Sequence, residues 1–190
     1  MDYYFLEFQY PRKGFISGGV AFTPELETNY SAITDPLPTG TKTLVTLTSS
    51  VRKLDVDLFY TTTLALVVSD KFKTILEKRK VGVQFIPALV YYQDGRPVEK
   101  EYWVAHQLDK VDCLDYERSD YGRKKVIAAS VLQPPRLIAK VIHKVCLDPS
   151  KIGEHEFFLL KYTYITKPII SADLYQECKQ AKLMLHVTPI

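Results

Sequence analysis

Residues 67–88, VVSDKFKTILEKRKVGVQFIPA, align without a gap on residues 169–190, IISADLYQECKQAKLMLHVTPI. Ser69 falls on Ser171, Lys80 on Lys182 and Pro87 on Pro189, while Val67 and Val68 meet Ile169 and Ile170, and Val83 meets Leu185. Each segment runs from a β-branched apolar stretch to a Ser, about ten residues of helical pattern, a second strand and a Pro. The Ser hydroxyl can accept from a first-turn N–H that has no partner within the helix. Asp70 suits the positive end of the first helix, and Lys78, Arg79 and Lys80 suit its negative end. Phe72, Ile75 and Leu76 share one face, and the helix is expected to stop near Lys80 with Gly82 just beyond. Three identities do not argue ancestry. The shared pattern does require each segment to pack a short helix on a sheet. The fold class that follows is α+β, with two Ser-capped helices in strand–helix–strand units at 64–88 and 165–190 and mostly antiparallel sheets around them.

The remaining chain reads as short strands and turns. The aromatic stretch 2–9, DYYFLEFQ, is a strand by composition. Residues 10–42 hold five of the glycines and prolines from Pro11 to Pro24 and three more from Pro36 to Gly40, so they read as a long irregular segment with room for a short buried helix near Pro24. Strands are expected at 43–48, within 63–68, and at 81–87, where Pro87 should stop the strand. Residues 88–92 and 101–109 should form a hairpin about the Asp94-Gly95 turn, with Tyr102, Val104, His106 and Leu108 on one side. Further strands are expected at 125–132, 136–146 and 157–165, with a turn opening at Asp148-Pro149-Ser150. A chain of 190 residues is read as one domain, 1–190; a two-lobed division would fall near 97, giving 1–97 and 98–190.

Charge and cysteine usage exclude several classes. There are 25 basic and 22 acidic residues, a net charge of +3 that does not announce a nucleic-acid binder. Cys113, Cys146 and Cys178 make no CxxC pair, and an odd, sparse count suits free thiols in a reducing compartment. No run approaches 18 apolar residues, and the opening MDYYFLEFQYPRKG lacks a signal-peptide core, so a cytoplasmic location with no membrane partner is expected.

Candidate chemistry is sparse. The stretch 109–121, DKVDCLDYERSDY, concentrates Asp109, Asp112, Asp115, Glu117 and Asp120, but its spacing does not fit a calcium loop, and Lys110 and Arg118 partly neutralise it. It reads as a solvated or partner-facing surface. The histidines make no HxxxH, HxH or HExxH. His155, in GEHE, would need ligands from elsewhere to hold a metal, and His106 faces the core side of its strand, where a ring nitrogen needs a fixed partner. Cys113, between Asp112 and Asp115, is set against thiolate formation and reads as buried filler. GxSxG, GxGxxG and GxxxxGK[ST] are absent. Basic residues gather at 71–80 and at Arg123, Lys124 and Lys125, without the aromatic interleaving of a nucleic-acid site. Thirteen Tyr, nine Phe and one Trp suit protein–protein recognition.

Two stretches carry a resemblance. YWVAHQLDKVDCLDYERSDY, residues 102–121, and PIISADLYQECKQAKLMLHVTPI, residues 168–190, resemble bacterial immunity proteins of polymorphic toxin systems, a family long catalogued as a domain of unknown function. Trp103, Asp112, Cys113, Leu114, Asp115, Glu117, Ser119 and Tyr121 fit its tryptophan-led strand and Asp-Cys-Leu-Asp-x-Glu-x-Ser motif; Ser171 and Asp173 fit its helix start. Ala172 stands where an acid is usual, Met184 where Gly is usual and Val187 where Phe is usual. The earlier VVSDKFKT…GVQFIP fits that closing pattern better.

The resemblance implies a non-enzymatic antidote, without cofactor or metal. Its partner would be a cognate toxin delivered by contact-dependent or type VI secretion and acting in the cytosol. The expected toxin contacts are Asp109, Asp112, Asp115, Tyr116, Glu117, Ser119, Asp120 and Tyr121 in one stretch and Glu25, Glu27 and Tyr30 in the 17–41 loop. Both stretches are polar and expected to be exposed; the alternative is that Asp112 and Asp115 cap turns and hold the fold. Two other classes stay open: a small-molecule or sensory module with an aromatic-lined pocket, and a metal-assisted hydrolase using 109–120. No heptad or exposed apolar strip speaks to oligomeric state.

Overall fold

A computed structural model describes residues 2–33, 35–106, 108–122, 125–126, 137–139 and 141–190. From the N terminus come β1 (Tyr3–Leu6), β2 (Gln9–Tyr10), β3 (Gly14–Phe15), β4 (Ser17–Thr23), a 3-10 turn (Tyr30–Ala32), β5 (Lys42–Leu47), β6 (Leu58–Thr61), β7 (Leu66–Ser69), α1 (Asp70–Lys78), β8 (Gln84–Tyr91) and β9 (Tyr102–His106). There follow β10 (Lys110–Val111), β11 (Asp120–Gly122), β12 (Lys125–Val126), β13 (Leu137–Ile138), β14 (Val141–Lys144), α2 (Pro149–Ile152), β15 (Phe157–Leu160), β16 (Ile169–Ser171), α3 (Ala172–Gln180) and β17 (Val187–Pro189). The class is α+β, as the sequence patterning predicts, with both Ser-capped helices in place. The chain forms two compact units: Glu7–Leu108 with Tyr175–His186, and Met1–Leu6 with Asp109–Leu174 and Val187–Ile190.

In the first unit six strands close into a barrel in the order β4-β5-β8-β9-β7-β6. Its pairings are antiparallel except β4 with β6 and β5 with β8, which are parallel. β5, KTLVTL, alternates exposed and buried, so Val45 and Leu47 enter the core while Leu44 stays 44% exposed. β7 shows no alternation and is buried throughout. One of its faces lines the barrel and α1 packs along it, so both need apolar side chains. Val45, Leu47, Phe59, Val67, Ile86, Val90 and Val104 fill the barrel core. Gly18 permits β4 to approach β5 closely, since a Cβ there would meet the Thr46 carbonyl oxygen at 2.7 Å.

α1 is capped by Ser69, whose Oγ accepts from the Phe72 N–H at 3.3 Å. It ends in paired reverse bonds, Val81 N–H to Leu76 C=O and Lys80 N–H to Glu77 C=O, with Lys80 at φ 54°. The helix ends near Lys80 as expected, and the left-handed residue is Lys80 itself and not a glycine.

Five other local features differ from expectation. β4 runs through the glycine-bearing start of the segment read as irregular, and β6 was not anticipated, because Asp57 and the threonines at 61–63 break its apolar run. The 24–41 segment holds a 3-10 turn with no buried residue in place of a buried helix. β8 continues through Pro87 to Tyr91. Pro87 pairs with Trp103 of β9, and pairing with β5 begins one residue later at Ala88, so the missing N–H interrupts no β5 bond. At Asp148 the expected turn is the start of α2, with Asp148 Oδ1 accepting from the Ser150 N–H.

In the second unit five strands run β10-β15-β16-β1-β17, with β10 and β15 parallel and the rest antiparallel. The N-terminal strand β1 is thus interior, flanked by β16 and β17. Val111, Cys113, Ile152, Phe158, Leu160 and Ile169 make its core. β11 pairs with β14, and β12 with β13. Of the strand expected at 125–132, residues 127–132 lie outside the described residues, as do Arg123 and Lys124.

Candidate functional site

The signature stretch 112–121 follows β10, and its side chains divide into two groups. Cys113 and Leu114 are buried at 0% and 1% exposure. Desolvation, with Asp112 next, pushes the Cys113 thiol up to about 12, so it is a packing group and not a nucleophile. Asp115 folds back on its own turn: Oδ1 accepts from the N–H groups of Glu117 and Arg118, each at 3.0 Å, and Oδ2 accepts from Arg118 Nε at 2.5 Å. The Arg118 contacts hold its carboxyl below the usual carboxylate range. Arg118 also donates to the Leu147 carbonyl at 2.9 Å.

Ser119 is buried, contrary to the expectation that the whole stretch is exposed. Its Oγ accepts from the Cys146 N–H at 2.9 Å and donates to the Cys146 carbonyl at 3.2 Å. The backbone repeats this tie, with Asp115 N–H to Cys146 C=O and Asp148 N–H to Cys113 C=O. A polar group in that position needs these bonds to be buried at all. Asp115 and Ser119 therefore lock residues 112–119 onto 146–148.

The second group faces outward. Glu117 and Asp120 are exposed, and Tyr116 and Tyr121 are half-buried with rings edge to face at 5.3 Å. Asp112 is half-buried. Asp109 sits 3.4 Å from His155 Nδ1, while its carbonyl accepts from the Leu159 N–H. A cleft of about 250 Å³ lies beside the lock, lined by Tyr3, Arg118, Lys144, Cys146, Leu147 and Ile190 among others.

The other expected contacts, on the 24–41 segment, belong to the barrel unit. Leu26, Tyr30, Ile33 and Leu37 pack against the barrel core. The Gln84 side-chain amide grips Leu37 at both ends, donating to its carbonyl and accepting from its N–H, each at 2.8 Å. His106, 2% exposed, gives its Nε2 proton to the Asp35 carbonyl at 2.9 Å, leaving Nδ1 to accept from the Tyr30 hydroxyl at 3.1 Å. His106 thus has the fixed partners its strand position demands. Tyr30 stacks on Phe22 at 4.9 Å, and burial pushes its hydroxyl pKa upward. It anchors the segment more than it displays it. Glu25 and Glu27 are exposed.

Trp103 ties strand to helix. Its Nε1 donates to Asp70 Oδ1 at 3.0 Å, and Lys73 Nζ stands 4.5 Å from its ring centre. One polar centre escaped sequence reasoning. Asp57, 3% exposed, accepts from Ser69 Oγ at 2.6 Å, from the Met184 N–H at 2.5 Å and from Lys100 Nζ. The only hint in the sequence is an acid set into the apolar run VDLFY.

Residues 31–184 match the immunity protein family Imm11. The match covers most of the chain and takes in β5 to β9 of the barrel and the locked signature stretch. The chain belongs to the Imm11 immunity protein family. No curated protein matches it. Membership in Imm11 implies a toxin as partner, and the contacts above give the 102–121 stretch a physical reading. Trp103, Cys113, Leu114, Asp115 and Ser119 hold the fold. Glu117 and Asp120 are exposed beside the half-buried Tyr116 and Tyr121. No helix among the described residues is long and apolar enough to cross a membrane.

Proposed function

We propose that this Imm11 chain neutralises a cognate antibacterial toxin in the cytosol by binding it directly and occluding it, without catalysis of its own. The family match over residues 31–184 carries this reading. The geometry supports a binding role for two stretches. Glu117 and Asp120, beside the Tyr116–Tyr121 pair, stand on a turn fixed by Asp115 and Ser119. Glu25 and Glu27 stand on a segment fixed by Gln84 and His106. Acids and aromatics held rigidly before binding lose little freedom on binding, which is where affinity is usually forfeited. Asp109 and Asp112 belong to the first stretch. Delivery of the toxin by contact-dependent or type VI secretion fits this role.

The test is co-expression with the toxin encoded beside the gene, scored by survival and by a stoichiometric peak on a sizing column. Glu117→Lys with Asp120→Lys, in a chain whose circular dichroism is unchanged, should weaken binding more than tenfold, equivalent to about 1.4 kcal/mol. The pair Glu25→Lys with Glu27→Lys probes the second stretch in the same way. Unchanged affinity in both folded double variants would remove these surfaces from the interface. Survival without any stable complex would sink direct occlusion.

A further inference from the structure

We infer that the chain contains two copies of one five-stranded module, and that the second copy borrows its last strand from the N terminus. The first copy has strand order β4-β6-β7-β9-β8 and the second β10-β15-β16-β1-β17. In both, the first pair is parallel and the other three are antiparallel. This goes beyond the binding role and does not depend on it.

Register makes the case, because a small menu of sheet orders can recur by chance while residue-level pairing cannot easily do so. Gly18 pairs with Thr61 as Val111 pairs with Leu160. Leu58 pairs with Val68 as Phe157 pairs with Ile170. Trp103 lies between Val68 and Pro87, and Tyr4 lies between Ile170 and Pro189. The sequences follow the same register: Asp57-Leu58-Phe59 matches Glu156-Phe157-Phe158, and Glu101-Tyr102-Trp103 matches Asp2-Tyr3-Tyr4.

Polar details repeat as well. Ser69 and Ser171, both at 0% exposure, cap their helices through the N–H groups of Phe72 and Leu174 and donate to the carboxylates of Asp57 and Glu156. The residue after each Ser donates its N–H to the carbonyl just before β9 or β1, Asp70 to Glu101 and Ala172 to Asp2. Each helix ends with the same paired reverse bonds, and Lys80 and Lys182 take φ values of 54° and 57°. A left-handed lysine is uncommon enough that its recurrence at the aligned position is telling.

The copies differ in two ways. In the first, the fourth strand of the sheet, β9, follows β8 through the 92–101 connection. In the second, no strand follows β17 and the fourth strand of the sheet is β1, with Ile190 N–H bonded to the Tyr3 carbonyl at 3.1 Å. The copies also diverge between first and second strands. Residues 24–57 supply β5, which closes the barrel, whereas 112–156 supply β11, β14 and α2. Glu25, Glu27, Glu117 and Asp120 all lie in these unlike inserts on a like framework, the usual place for recognition.

The test is circular permutation of the whole chain. Ile190 is joined to Asp2 by a Gly/Ser linker about as long as the 92–101 connection. One permutant is opened between Gln107 and Leu108, between the copies. A second carries the same join but is opened at Asp94–Gly95, inside the first copy. The first should fold, melt within a few degrees of the natural chain and above the second. Failure of the first to fold, or a midpoint no higher than that of the second, overturns the inference. Hydrogen exchange on the natural chain gives an independent reading: amides of β1 should exchange in the same slow class as those of β16 and β17. Early, separate exchange of β1 would show that it is an appendage and not the missing strand.

Discussion

Replacing Asp57 by Ala removes one carboxylate that serves three donors at once. Ser69 Oγ, at 0% exposure, loses the acceptor for its proton and has no water to turn to, a cost of about 1–3 kcal/mol. The Met184 N–H loses a charged acceptor in a part-buried bond, a cost of about 1.5 kcal/mol at most where solvent replaces some of it. Lys100 loses its ion pair; with a side chain 32% exposed it regains hydration, and about 1 kcal/mol is a sufficient allowance. Together the loss is about 4 kcal/mol. In a chain of this size about 2–4 °C of melting temperature goes with each kcal/mol, so the midpoint should fall by roughly 8–16 °C.

Denaturant and thermal melts followed by circular dichroism measure both quantities. Lys100→Met attacks the same pair from the other side, leaving a buried carboxylate with its two remaining donors. The double variant should be less destabilised than the sum of the singles, because the pair is then counted once. A loss below about 1 kcal/mol in Asp57→Ala, or strict additivity with Lys100→Met, would refute the claim that this carboxylate is a shared anchor.

Other outcomes follow from single contacts. Gly18→Ala should destabilise the barrel by more than about 2 kcal/mol in a denaturant melt, since the new methyl meets backbone, not a movable side chain. Alkylation of the native protein at neutral pH should label half-exposed Cys146 well before Cys113 and Cys178, whose thiols burial pushes up to about 12; mass spectrometry of the labelled peptides reads the order. Asp115, Asp148 and Glu177 have folded-state carboxyl pKa values below their usual range, each through a side-chain hydrogen bond, to Arg118, Ser150 and Arg79 respectively. Their contribution is present above the ordinary carboxylate range and lost as pH falls through the lowered values, so stability should decline below about pH 4, with a shallower slope in Asp115→Asn. His106→Ala should speed amide exchange across 30–37 while leaving β5 and β8 slow, because it removes the tether at Asp35 and Tyr30 and no ladder bond.

Local interactions were written plainly in the sequence. A Ser before an amphipathic stretch dictates a capped helix wherever it lies, and both helices start at their serines. The Asp94-Gly95 turn also reads directly, with Gly95 at φ 85° and its N–H bonded to Tyr92. The signature stretch was legible as a unit, and Cys113 was legible as core. The division of its acids was not: Asp115 points into its own turn and Glu117 away from it, and spacing alone does not separate the two.

What tertiary structure decided is everything that depends on distant partners. β8 passes through Pro87 because β9 and β5 pair with different halves of it. Ser119 is buried because Cys146, 27 residues away, offers it both a donor and an acceptor. The sequence repeat at 67–88 and 169–190 established two like pieces of helix and strand. Only the sheet register extends the likeness to β1, since a strand's neighbours are chosen by hydrogen bonds across space and not by its place along the chain.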